Sequence, residues 1–460
     1  WFSLRKFYDR YYVASNMGVV VYGGEPLDTL EQWARDSFSA VPAGPKPDLT
    51  IGENPYTGEG LGVRINVVPL KDTRVLSLSF PLPSTEPYYQ KKPLGYLARI
   101  VGYEGQGSLH SLLKEKGLIN SLAAYSSDLP NEFSEFTVRV ELTHKGLDQV
   151  DEITGMVFDY LDLIRREGLQ QRLFDESKQI AELGFRYQED RNPQQTVSAL
   201  AARMHYLPAE HILDANYLYE SFDASLIEDF LSQMTPANLR QVVIAQGLPT
   251  DQVEPYFETH YSIHKLPGNL IKRLNRPLAH EALTIPAPNP FVASDLQLRE
   301  AGVAKEPEVI VDEKGLRVWS MTDTSFEVPR GNVRVMVSTS KASATPDDNV
   351  LIQLYRALLS RSLNEYGYPA RETGLNYSLS AGRRGLMISL SGYQDKQSIL
   401  LEYILKEINQ FKPEPESFEQ EKVLLVRGLK NKQFHVPYRL GMDALGQVTY
   451  PSYPEDEVML

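Results

Sequence analysis

Residues 115–122 (EKGLINSL) return in altered form as residues 372–379 (ETGLNYSL), and this internal repeat limits the chain to folds built from a unit used more than once. The match runs well past the octet. Each tract follows a helical pattern and begins a strand. The apolar run 138–142 has a counterpart at 386–390, and the amphipathic stretch 147–166 has one at 396–411. A helix start at Phe174-Asp175-Glu176 recurs at Phe418-Glu419-Gln420. The spacing between copies shortens along the chain, as a longer hairpin loop in the first copy would require. That copy continues past Asn238 into a strand at 241–245, and Asn16 precedes a similar run at 17–23 (MGVVVYG). The register predicts three copies of one α/β unit: the end of one, a whole one, and one that stops before its last strand.

The whole copy is organised around residues 100–125. Gly102, Gly105 and Gly107 surround Glu104, and glycine lets another backbone come close. Ser108 is placed to cap a short helix, whose apolar face is Leu109, Leu112 and Leu113 at i, i+3, i+4. Lys114 and Lys116 suit its last turn and Gly117 the position just past its end. Residues 118–125 read as a strand ending in small residues. Nucleotide motifs fit poorly. Gly102 and Gly107 have the phosphate-loop spacing, but Ser108 stands where the lysine belongs, and His110 replaces the third glycine of a dinucleotide fingerprint. Without further information the stretch is a tight connection whose glycines permit packing.

A chain of 460 residues is too long for one core, so several domains are expected. Prolines cluster at 42–60 and 266–307 with little periodicity, which predicts linkers there. Between them the pattern predicts strands at 63–69 and 75–80 joined by a polar turn at Lys71-Asp72, and a helix over 87–101. It predicts a half-buried strand at 133–142 and a long helix through Leu147, Val150, Ile153, Val157, Leu161 and Ile164. Residues 3–12, 26–41, 174–187 and most of 191–235 also read as helical.

Lys+Arg 47 against Asp+Glu 60 gives a net charge of -13, and no basic run is interleaved with aromatics, so a nucleic-acid partner is not expected. No apolar stretch approaches a membrane span, so no membrane partner is expected either. Zero cysteines exclude disulfides and thiolate chemistry and fit either cytoplasm or periplasm. The first residue is Trp1, and no charged-then-apolar leader follows it. The histidines form no metal motif. His280-Glu281 approaches HExxH spacing, but Thr284 holds the second ligand position; Glu210-His211 approaches the inverted spacing, but Leu207 replaces the first histidine. His205, His211, His260, His264 and His280 read as surface or hydrogen-bonded core residues. No nucleophile elbow is present. The residues by themselves predict an architecture and a binding edge, with no catalytic or metal residue in this chain.

Residues 102–109 (GYEGQGSL) followed by 112–118 (LLKEKGL) resemble the G-H-E-G-x-G-S-L…L-K-x-K-G-W signature of the pitrilysin/insulinase family of zinc endopeptidases, in its non-catalytic second domain. Tyr103 replaces the usual His and Leu118 the usual Trp. Residues 7–17 and 68–80, Asn289-Pro290-Phe291, residues 316–319 with Asp323, Phe326 and Pro329, and Leu363-Asn364-Glu365-Tyr366 extend the likeness over essentially the whole chain. The resemblance implies an α+β fold of repeated α/β modules, each a mainly antiparallel sheet packed against helices. Four such domains form two bowl-shaped halves around a closed chamber, with zinc held in the first by HxxEH and a downstream Glu. On this basis 1–42 is the end of domain one, 43–59 a linker, 60–265 domain two, 266–307 a second linker and 308–460 an incomplete domain three.

The resemblance also implies a function. The parent would be a zinc endopeptidase, bacterial and periplasmic or secreted, with the cytoplasm left open. Zinc belongs to the intact parent, and this chain alone is expected to be inactive. Its partners would be peptide substrate and the remainder of the same polypeptide. In insulinase-like members the glycine stretch and following strand form an exosite that adds the substrate's N-terminal segment as a strand. Carried over, the exosite is Gly102, Glu104, Gly105, Gly107, Leu122, Ala123 and Ala124, with Glu104 pairing with the peptide's α-amino group. The alternative is a structural or peptide-binding homologue that has lost the zinc site.

Overall fold

The computed structural model describes residues 1–49, 56, 58–129, 132–189, 192–298, 306–323, 325–342, 345–382 and 384–449. Parts of the expected linkers (50–55, 57, 299–305), the tip of the first hairpin (130–131) and the last residues given (450–460) lie outside the described residues. No helix of the described residues is long and apolar enough to cross a membrane.

Two helices come first, α1 (Phe2–Tyr11) and α2 (Leu27–Phe38). The run 17–23 between them, expected as a strand, carries no β pairing. Apolar character suits a strand, but only a partner's ladder makes one, and no described strand lies against it.

Among the described residues the first sheet has seven strands: β1 (Val63–Val67), β2 (Val75–Pro83), β3 (Ile119–Leu129), β4 (Phe133–Leu142), β5 (Arg240–Ile244), β6 (Gln252–Val253) and β7 (His260–Lys265). Their order across the sheet is β3-β4-β2-β5-β1-β7-β6. Only β1 and β5 run parallel; the other neighbours are antiparallel. β4 alternates as its sequence predicts, with Phe136, Val138, Val140 and Leu142 at 0% exposure and Arg139 outside. Against this sheet pack α3 (Pro93–Val101), α4 (Leu109–Glu115), α5 (His144–Asp148) and α6 (Val150–Glu167). The expected helix at 87–101 starts late, at Pro93, after a single 3₁₀ turn at Glu86–Tyr88. Val150, Ile153, Val157, Leu161 and Ile164 form the buried stripe of α6, as their spacing predicts. Leu147 lies apart on α5, because the helix breaks at Gln149.

The helices α7 (Gln171–Arg186), α8 (Pro193–Arg203) and α9 (Ala224–Ser232) follow, so 191–235 is less helical than expected. The segment after β7 is no free tether. It forms α10 (Gly268–Leu274) and then sends Leu283 into the first core and Phe291 into the second.

The third copy contributes a β8–β9 hairpin (Glu308–Glu313, Leu316–Ser320), then β10 (Arg330–Ser338), α11 (Pro346–Ser362), α12 (Asn364–Glu372), β11 (Asn376–Gly382) and β12 (Gly385–Tyr393). It continues with α13 (Gln397–Gln410), α14 (Pro415–Asn431) and α15 (Pro437–Thr449). The sheet order β10-β12-β11 reproduces β2-β4-β3. Gly117 and Gly374 occupy the same place before β3 and β11, both left-handed, at φ 71 and 81. That conformation is cheap only for glycine, which is why the repeat is most visible there.

Candidate functional site

The stretch 100–125 folds as its residues predict. The Ser111 N–H donates to Ser108 Oγ at 3.0 Å, capping α4, while Leu109, Leu112 and Leu113 enter the core. The strand that follows, β3, closes one end of the seven-stranded order. An edge strand pairs on one side only, so alternate N–H and C=O groups along it face outward. Leu122 is turned into the core at 2% exposure, Ala123 is exposed and Ala124 half-buried.

The glycines admit groups of the chain itself. A Cβ on Gly102 would lie 3.0 Å from Ala124 N, so the turn packs directly on the β3 backbone. One on Gly105 would meet the Tyr103 ring, and one on Gly107 would meet Thr284 Oγ1. Gly107 is left-handed (φ 77) and its carbonyl accepts from Thr284 N at 2.9 Å. Glu104 keeps 24% of its side chain exposed. It accepts from Asn364 Nδ2 at 2.8 Å and lies 3.7 Å from the Arg371 guanidinium.

Sequence reasoning had no view of this last contact. Asn364, Tyr368, Arg371 and Glu372 all lie on α12, far along the chain, and reach the glycine turn or the helix before it. Their helical spacing was readable, but not what they face.

A cleft of about 1750 Å³ lies beside the turn, with Tyr103, His110, Lys114, Arg361 and Glu365 among its walls. No residue of β3 lines it, so a strand added to β3 would lie elsewhere. His110 is 2% exposed, and its Nδ1 has no hydrogen-bond partner among the described residues. Burial, with the Lys114 and Arg361 charges, lowers its pKa to about 3; Glu104 and Arg371 also face it. The folded protein therefore holds a neutral imidazole where the unfolded chain titrates near 6.5. Below pH 6.5 the unfolded state gains a proton that the folded state refuses, so stability falls as pH falls, until about pH 3. At pH 5 the loss from this residue is about 2 kcal/mol, at about 1.4 kcal/mol per unit. Urea unfolding at pH 7 and pH 5 should show His110→Leu losing less stability than the parent by that amount; equal losses would refute the assignment.

Among the described residues, no three His, Cys, Asp or Glu side chains group to hold a metal ion. His280, from the near-miss HExxH, instead bonds Asp159 at 2.8 Å, and His211 bonds Asp214 at 3.1 Å.

The model described as the peptidase M16 inactive domain matches residues 3–181, and that of the middle or third domain of peptidase M16 matches residues 185–460. The chain is 32% identical to the insulin-degrading enzyme of Drosophila melanogaster over 95% of its own length and 44% of that protein's. It is 32% identical to the human insulin-degrading enzyme over 96% of its length and 44% of that protein's. Among solved structures, the crystal structure of pitrilysin superposes with a TM-score of 0.74 at 26% identity, covering 93% of this chain and 46% of that one. The chain thus spans about half the length of the curated relatives it matches, and its α+β architecture is that of pitrilysin.

Proposed function

The chain belongs to the peptidase M16, or pitrilysin/insulinase, family, and from that premise we propose that it is the part of a zinc endopeptidase that walls the chamber and anchors the peptide. In this reading residues 60–265 are the second domain and 308–460 part of the third. Zinc sits in a portion of the parent outside this chain. The described residues do not fit a zinc site.

The observation that supports anchoring is the position of β3 at the sheet edge, one short helix after the glycine turn. A peptide adding to this edge gains main-chain hydrogen bonds that require little of its sequence. Ala123, exposed and small, leaves room for its side chains, and Leu122 contributes its backbone alone. Gly102, Gly105 and Gly107 set the path of the turn, and Glu104 offers its exposed surface to the peptide's ammonium.

The test is amide exchange on the 460-residue protein with an unstructured peptide of about twenty residues. Protection should appear at alternate amides of 119–129 and nowhere else in the sheet. The same mixture should show no cleavage, with or without added zinc. Peptide binding that leaves 119–129 unprotected would overturn the anchor, and chelator-sensitive turnover would overturn the division of labour.

A further inference from the structure

Five residues of α12, Asn364, Glu365, Tyr368, Arg371 and Glu372, fall at i, i+1, i+4, i+7 and i+8 and so share one face. All five touch the segment that leads into β3. Asn364 Nδ2 donates to Glu104 Oε2 at 2.8 Å, and Arg371 Nη2 both donates to Asn364 Oδ1 at 2.7 Å and lies 3.7 Å from Glu104. The Tyr368 hydroxyl donates to the Gly102 carbonyl at 3.3 Å, while its ring meets that of Tyr103 edge-on at 5.3 Å. Glu365 accepts from Ser111 Oγ, and Glu372 accepts from Arg99 Nε at 3.3 Å. One helix of the third unit thus grips the end of α3, the glycine turn and the start of α4, all in the second. Gly102, held by Tyr368, is also the residue that packs on Ala124 N of β3.

We propose that α12 is the positioning element of the β3 edge: its polar face fixes the glycine turn, and the turn fixes the strand on which a peptide docks. The inference rests on the anchoring role proposed above. It assigns Asn364, Tyr368 and Arg371 a positioning part in binding, although none of them lies on β3. A packed contact of this kind carries coupling when its loss is felt at the far end.

The test uses the 460-residue protein with Tyr368→Phe, which keeps the ring and removes only the hydroxyl, and Asn364→Ala, which strips Glu104 of its short hydrogen bond. Three quantities are read: the thermal midpoint, amide exchange in β3 and β11 without peptide, and affinity for the unstructured peptide. Asn364→Ala should speed exchange across 119–129 and weaken peptide binding about tenfold, and Tyr368→Phe about threefold. Exchange in β11, which shares its unit with α12, should stay unchanged, because a merely structural lesion would loosen β11 first. Unchanged β3 exchange and affinity in folded variants would overturn the proposal. If the parent protein binds no peptide at β3, the anchoring role fails by itself, and exchange in the free variants still decides whether α12 positions the edge.

Discussion

Asp159→Ala should cost about 3–5 kcal/mol, because it removes one partner from a buried ion pair. The Asp159 side chain, on α6, has 0% exposure. It accepts from Arg273 Nη1 at 2.9 Å and Nη2 at 2.5 Å, from Leu278 N at 2.7 Å and from His280 Nε2 at 2.8 Å. All three donors belong to the segment that runs from α10 towards Thr284, where the Gly107 carbonyl is met. Alanine releases that segment, so amide exchange should accelerate at 276–285 before it does so elsewhere. Burial alone would raise the Asp159 pKa, but the bonds from Arg273, Leu278 and His280 outweigh it and hold it below the usual carboxylate value. A depressed carboxyl contributes stability above its unfolded pKa, near 3.9, and loses it as pH falls. The gap between parent and variant should therefore persist from pH 7 to 5 and close below about pH 4. A gap under about 1 kcal/mol at pH 7 would mean that the segment is held by its apolar contacts alone.

Arg99→Met should cost a similar amount, about 3–5 kcal/mol at pH 7, for the opposite charge. Arg99 lies in the last turn of α3. It donates to Glu176 at 2.9 Å, Glu372 at 3.3 Å, the Leu173 carbonyl at 2.6 Å and Ser177 Oγ at 3.0 Å. Arg99, Glu176 and Glu372 side chains are 15%, 16% and 14% exposed. Methionine keeps much of the stem's packing but leaves two carboxylates buried without their shared cation. Burial already raises Glu372, against the pull of Arg99. In the variant Glu372 is left with burial and without Arg99's opposing pull, so it binds a proton more readily folded than unfolded and the deficit should shrink as pH falls from 7 towards 5. Arg99→Met with Glu372→Gln should recover part of the loss at pH 7. A deficit independent of pH would show that packing, not charge, is what Arg99 supplies.

The local elements were largely legible. β4 appears over the residues its alternation predicts, the buried stripe of α6 follows its apolar spacing, and Ser108 caps α4. Each depends on neighbours within a few residues, and periodicity reports that directly. Neighbourhood across the sheet was not legible. β1 and β2 read as two strands joined by a polar turn at Lys71-Asp72, yet β5 lies between them, pairing Ile65 with Val242 on one side and Ser77 with the same Val242 on the other. An apolar pattern tells a strand which face to bury, not which partner to take. The run at 17–23 shows the same limit, since its pattern was present without a ladder.

The candidate site divides in the same way. From the chain alone came the glycine turn, its capped helix, the strand after it and the duplicated unit marked by Gly117 and Gly374, because backbone conformations open mainly to glycine leave a signature in the residues themselves. Only the tertiary structure decided that β3 ends the sheet and that α12 closes over the turn. Both are contacts between residues distant in sequence, fixed by how whole sheets and helices pack, and no local spacing encodes them.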